Sequence, residues 1–133
     1  MVLPQFIVSP IDQSPMSGRD KGIAGEEIAV EYLKRAGFEI VDRNYRTRRG
    51  EIDIIARNRE GLRFVEVKMR RRGTMVPPQE AIDLRKMRRI IAAAREYLAR
   101  NHLVGKEFCH FDVIAIDDQD EIEYIPDAFS ANI

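Results

Sequence analysis

Apolar residues along this chain fall into seven runs, and their spacing sorts them into two helices and five strands. Between 22 and 37 the positions Ile28, Ala29, Tyr32, Leu33 and Ala36 recur at helical spacing, and Gly37 supplies a left-handed stop. Three runs with strand character follow: 38–45 around Phe38-Glu39-Ile40-Val41, 51–56 through Ile52 and Ile54, and 62–69 through Phe64, Val65 and Val67. The stretches 46–50 and 58–61 between them have hairpin length. After Arg70-Arg71-Arg72-Gly73, Pro77-Pro78 opens a long helix. Its stripe is Leu84, Met87, Ile91, Ala94 and Leu98, with Arg85, Arg88, Arg89 and Arg95 on or near the other side. Runs 108–116 and 121–125 close the chain as strands. The order α-β-β-β-α-β-β predicts an α/β fold with one mixed sheet flanked by helices. Residues 1–17 hold Pro4, Pro10 and Pro15 without a sustained period and read as a flexible arm ahead of a single domain over 18–133, with Met16 as a second candidate start.

Length agrees with one domain, since 133 residues can bury a single core without staples. Cys109 is the only cysteine, so an intramolecular disulfide and a thiolate metal cage are both excluded, and it reads as a small core residue. No apolar run approaches the roughly 18 residues of a bilayer span, and no secretory leader is legible, so a cytoplasmic protein is expected. Charge changes the picture more than composition does. The net charge is zero, yet 43–72 carries eleven basic residues against four acidic ones, and from Glu107 onward there are eight acids and no Lys or Arg. The basic middle suits a polyanion, whereas the acidic segment is expected to be a solvated face.

The acids planted in that basic middle are the informative residues. A two-residue period puts Glu51 and Asp53 on one face of their strand, with Ile52 and Ile54 turned into a core, and likewise sets Glu66 and Lys68 opposite Val65 and Val67. If the two strands pair as a hairpin, Asp53 and Glu66 converge with Lys68 within reach. Carboxylates in a phosphate-seeking surface repel its ligand unless a cation bridges them. Mg²⁺ is commonly held by one or two carboxylates with water and phosphate oxygens, and the Val67 carbonyl could add a further oxygen. A lysine beside such an ion can orient water or steady charge on phosphorus oxygens, which makes phosphodiester hydrolysis the chemistry implied. At 100° per residue Glu26 lies about 60° from the centre of the first helix's apolar face and Glu27 about 160°. Glu26 therefore borders the core and becomes a candidate second metal ligand or supporting group. An exposed cross-strand ion pair is the bland alternative for Glu66 and Lys68 taken alone. His102 and His110 have no partner at ligand spacing, and no nucleophilic triad is legible.

Asp53 and Glu66-Val67-Lys68, with Glu26 on the preceding helix, resemble the PD-(D/E)XK nuclease superfamily, although Ile52 stands where the motif's proline would be. More narrowly, the set resembles the YraN-type bacterial family of uncharacterised proteins. That set is Gly25-Glu26 with Ala29, Gly50-Glu51-Ile52-Asp53, Phe64-Val65-Glu66-Val67-Lys68, the helix start at 78–82, Lys86 and Phe111-Asp112, and the likeness runs over about 22–129. The resemblance implies a restriction-endonuclease-like fold similar to Holliday-junction resolvases, DNA as substrate, and Mg²⁺ or Mn²⁺ as cofactor.

The expectation is thus a metal-dependent endonuclease acting on DNA, branched or single-stranded strands included. Asp53, Glu66 and Glu26 would hold the metal, and Lys68 would assist catalysis. Arg46, Arg48, Arg49, Arg70, Arg71, Arg72, Arg85, Lys86, Arg88 and Arg89 would grip phosphates. A homodimer would suit a junction cleaver, which needs two sites. The rivals are a nucleic-acid-binding adaptor with the same fold and no turnover, and a protein-interaction domain.

Overall fold

A computed structural model of the chain describes residues 18–75, 77 and 80–133. The expected arm over 1–17, and Pro78 at the expected helix start, lie outside the described residues. The elements are α1 (Gly18–Arg35), β1 (Glu39–Arg46), β2 (Glu51–Asn58), β3 (Gly61–Met69), α2 (Leu84–Arg100), β4 (Cys109–Ile116) and β5 (Ile122–Phe129). This is the expected order. The strands form one sheet in the spatial order β1-β2-β3-β4-β5, with β3 and β4 parallel across the α2 crossover and every other pair antiparallel.

Both faces of the sheet are covered, which divides the core in two. Ala29, Val30 and Leu33 of α1 pack on Ile54, Ala56, Val65, Ile114 and Ile116. Ile90, Ala93, Ala94, Tyr97 and Leu98 of α2 pack on Ile52, Ile55, Leu62, Phe64, Phe111 and Val113. β4 serves both halves, and Phe111 through Ile116 are all buried. The α1 stop forms as expected. Gly37 sits at φ 94°, and the Phe38 amide donates back to the Leu33 carbonyl at 2.9 Å.

Four departures from the sequence pattern have identifiable causes. Helix α2 starts at Leu84 instead of at the proline pair, because Asp83 is in an extended conformation and its side chain accepts the Lys86 amide at 2.8 Å, capping the helix there. Ala81 and Ile82, ahead of the cap, are buried outside any helix. The buried α2 stripe runs through Ile90, Ala93, Ala94, Tyr97 and Leu98, and Leu84 is exposed because it precedes the part of the helix that meets the sheet. Strand β5 extends to Phe129, past Pro126, which an edge strand tolerates because one side of its backbone has no ladder partner. Ile52 and Ile54 are both buried but on opposite faces, so the alternation expected through β2 breaks at Asp53.

Candidate functional site

The break at Asp53 opens the site. The β2–β3 ladder runs from Asn58↔Gly61 up to Ile54↔Val65 and goes no further. Past that point the strands part, and the Val67 amide has no ladder acceptor. Asp53 Oδ2 takes its place, accepting from Val67 N at 2.8 Å. A carboxylate thus stands in for a backbone carbonyl at the fork and leaves its other oxygen free of the ladder. Glu66 follows Val65 on the opposing strand, and its carboxyl lies close enough to Asp53 for that charge to act on it. The two acids therefore meet, as the hairpin geometry predicts.

Their environments differ. Glu66 has a side chain only 14 % exposed, and its Oε1 is buried with no hydrogen-bond partner. Burial, and after it the neighbouring Asp53 charge, push the Glu66 carboxyl up from 4.5 to about 8, against the pull of Lys86. An ammonium does reach Glu66, but it is that of Lys86 on α2, with Nζ 3.3 Å from Glu66 Oε2 and 3.9 Å from Glu51 Oε1. Lys68 turns instead to the segment ahead of α2 and donates from Nζ to the Ala81 carbonyl at 2.9 Å.

Glu26 lies where the helical geometry puts it, at the core border with a 13 % exposed side chain, while Glu27 is 58 % exposed. Together with Asp53, Val67, Met69 and Ile23 it lines a cavity of about 480 Å³. Its Oε1 is already engaged, accepting from Arg43 Nε at 3.2 Å and Asn44 Nδ2 at 2.9 Å. Gly25 permits this packing, because a Cβ there would stand 2.6 Å from the Met69 sulfur. Among the described residues no three His, Cys, Asp or Glu side chains come together as a group that could hold a metal ion, so Glu26 does not join Asp53 and Glu66 in one ligand set. What is present is a two-carboxylate fork with one orphaned buried oxygen. That donor set fits a hard cation completing its shell with water and substrate oxygens, as Mg²⁺ does, and it does not fit an all-protein ion cage.

The basic residues separate into two groups. Arg70 is bound by Glu123, Arg72 by Gln119 and through its amide by Asp118, and Lys86 by Glu66. These three expected phosphate ligands are committed inside the chain. Arg57 on Glu107 at 2.7 Å and Arg63 on the fully buried Asp112 at 3.2 Å behave likewise. The acidic C-terminal segment is consequently a set of partners for the basic middle, where a solvated face was expected. Tyr124 and the Asp127 amide complete the shell of Asp112. Arg48, Arg49, Arg85, Arg88 and Arg89 are exposed and, among the described residues, form no ion pair. Arg71 is equally exposed, and Arg46 lies 3.6 Å from Glu51. The β1–β2 turn and α2 meet on this flank. Gly50 lies so close to α2 that a Cβ would fall 1.9 Å from the Arg89 carbonyl oxygen. Arg48, Arg49 and Arg95, with Ala92 and the acid Glu96, then line a cavity of about 840 Å³.

Two features escape sequence reasoning: the role of Lys86 as counter-charge to Glu66, and the Ala81 carbonyl as partner of Lys68. One signal for Lys86 was present. The first turn of α2 carries cations and no acid, against the preference of a helix N-terminus. His110 is held by Asp127 and the Glu60 carbonyl, away from this site, and Cys109 is half-buried against the α2-side core.

Among the described residues no helix is long and apolar enough to cross a membrane. The sequence profile of the uncharacterised protein family UPF0102 matches residues 25–116, a span that includes Glu26, Asp53, Glu66, Lys68 and Lys86. The chain is 41% identical over 118 residues to a UPF0102 protein of Nitrosococcus oceani, covering 86% of this chain and 95% of that relative. It is 47% identical over 111 residues to one of Syntrophotalea carbinolica (81% and 89%), and 43% over 116 residues to one of Lachnoclostridium phytofermentans (87% and 98%). With the profile spanning most of the folded domain and these relatives matched nearly end to end, the chain belongs to the UPF0102 family.

Proposed function

We propose that this protein is a Mg²⁺- or Mn²⁺-dependent endonuclease that hydrolyses phosphodiester bonds in DNA. The observation that carries the reading is the carboxyl pair Asp53–Glu66 at the fork of β2 and β3, with Glu66 Oε1 buried and unpartnered. A buried carboxylate oxygen without a donor costs free energy that a bound cation would recover. Asp53 and Glu66 would hold the ion, which when bound supplies Lewis acidity and an activated water. Glu26 acts by fixing Arg43 and Asn44 beside the cavity. Lys68, positioned by the Ala81 carbonyl, is the ammonium available to steady charge on phosphoryl oxygens. Arg48, Arg49, Arg85, Arg88 and Arg89 would hold flanking phosphates, with Arg46 and Arg71 as further contacts.

Purified protein is expected to cut or nick single-stranded or branched DNA with added Mg²⁺ or Mn²⁺. The Asp53→Asn variant, which keeps an oxygen to accept from the Val67 amide but loses the charge, should fold and not cut. Equal cutting by both proteins would expose a contaminating nuclease and remove the support for this reading.

The engagement of Lys68 with a backbone carbonyl favours one alternative, a DNA-binding adaptor without turnover. An adaptor would bind DNA with a steep salt dependence and show no Mn²⁺ binding sensitive to Glu66.

A further inference from the structure

We propose that Lys86 is a built-in counter-cation of the carboxyl fork, which moves from Glu66 to Glu51 when a divalent ion enters and so sets the affinity for that ion. The inference rests on the metal-binding reading given above. Lys86 Nζ stands between two carboxylates on different strands, 3.3 Å from Glu66 Oε2 and 3.9 Å from Glu51 Oε1. The first acid is largely buried and the second is 40 % exposed, so the two partners form an inner and an outer station for one ammonium. The Lys86 side chain is itself 33 % exposed and lies within 4 Å of both. Arg46 approaches the outer station from β1, 3.6 Å from Glu51 Oε2, and leaves Oε1 to Lys86.

Electrostatics favours the exchange. Two neighbouring carboxyl groups, one of them largely buried, call for a positive charge nearby, and in this structure Lys86 provides it. A divalent ion on Glu66 Oε1, on the carboxyl whose Oε2 meets Lys86, brings two positive charges within a few ångströms of that ammonium and weakens its hold on Glu66 by repulsion in a partly buried site. That repulsion favours movement of Lys86 toward Glu51, the other carboxylate within reach. Position 86 is also one that helix energetics would not select for a cation. It lies in the first turn of α2, where the backbone dipole disfavours positive charge and the N-cap carboxylate of Asp83 is engaged by the Lys86 amide. Where a local preference is set aside without a packing reason, a functional one is expected.

The test is a Mn²⁺ titration of the full chain, following free Mn²⁺ by electron paramagnetic resonance at one fixed alkaline pH and low salt. The proteins compared are wild type, Lys86→Met, Lys86→Gln, Glu51→Gln, Glu66→Gln and the double variant Lys86→Met/Glu51→Gln, each checked for folding by circular dichroism. Both substitutions of Lys86 should bind Mn²⁺ roughly tenfold more tightly than wild type, because a competing charge is gone. Glu51→Gln should bind it several-fold more weakly, having lost the outer station, and should add nothing when Lys86 is already absent. Unchanged or weaker binding in the folded Lys86 variants overturns the proposal. So does an equal loss from Glu51→Gln with and without Lys86, which would make Glu51 a direct ligand. Wild-type binding that Glu66→Gln leaves untouched would instead overturn the metal site itself, and this proposal with it.

Discussion

Glu66 is a carboxyl buried beside another carboxyl, and its titration should be visible in the stability of the whole chain. Its folded value of about 8 stands well above the 4.5 of an exposed glutamate. Between those values the folded chain keeps a proton that the unfolded chain has released. The stabilisation is therefore complete below about pH 4.5 and is lost as pH rises through 8. With chelator present to remove divalent ions, the urea midpoint should fall from pH 5 to pH 8.5, and Glu66→Gln should flatten that slope. An identical slope in the variant would assign the effect to other groups. Asp53 differs from Glu66 in having a structural task as well, since its Oδ2 replaces a ladder carbonyl for Val67. Substitutions there separate chemistry from folding only when an acceptor oxygen is retained.

At the scale of elements, the contact that matters most for the basic flank is the seating of the β1–β2 turn on α2. Thr47 organises the turn by accepting from the Arg49 and Gly50 amides at 3.1 Å each, and Gly50 lets its backbone rest on the Arg89 carbonyl. A methyl group at 50 meets backbone that a side-chain rotation cannot relieve. Gly50→Ala should accordingly cost roughly 1–3 kcal/mol in chemical denaturation. It should also weaken DNA binding, because Arg48 and Arg49 would no longer be held against the arginines of α2. A variant with wild-type stability and DNA affinity would show that the turn is not anchored there. The α2 crossover has a second consequence for the site. It brings Lys86 and Ala81 over the carboxyl fork from a segment that is distant in sequence from Asp53.

For the molecule as a whole, folding lays an acidic segment onto a basic one and leaves one flank of arginines beside α2 without acid partners. Arg57, Arg63 and Arg70 are consumed by Glu107, Asp112 and Glu123, whereas Arg48, Arg49, Arg85, Arg88 and Arg89 pair with no acid among the described residues. The two groups should respond oppositely to substitution. Arg63→Ala leaves a fully buried Asp112 without its guanidinium and should destabilise by roughly 3–5 kcal/mol in urea unfolding. The double variant Arg48→Ala/Arg49→Ala should keep its unfolding midpoint. It should also lower the slope of log affinity for duplex DNA against log salt by about 2, one counterion per lost phosphate contact. If that slope does not change, the flank is not a phosphate surface.

By itself the sequence determined the number and order of the elements, the mixed sheet between two helices, and the meeting of Asp53 with Glu66. All of these follow from local periodicity and a short hairpin, so they need no knowledge of distant contacts. The position of Glu26 at the core border was legible for the same reason, since helix geometry is fixed residue by residue. Only the tertiary structure decided which cations are free and which are spent, because ion pairing joins segments up to about fifty residues apart that no periodicity links. It also decided the start of α2, where a capping side chain at Asp83 outweighed a proline pair, and the reversal of faces between Ile52 and Ile54. That reversal falls where β2 loses β3 but keeps β1 in register on both sides, and where Asn44 of β1, between the paired Arg43 and Tyr45, sits at φ 51°. Lys86 reaches Glu66 for a reason of the same kind: its place over the sheet is set by how α2 packs, and sequence distance carries no record of it.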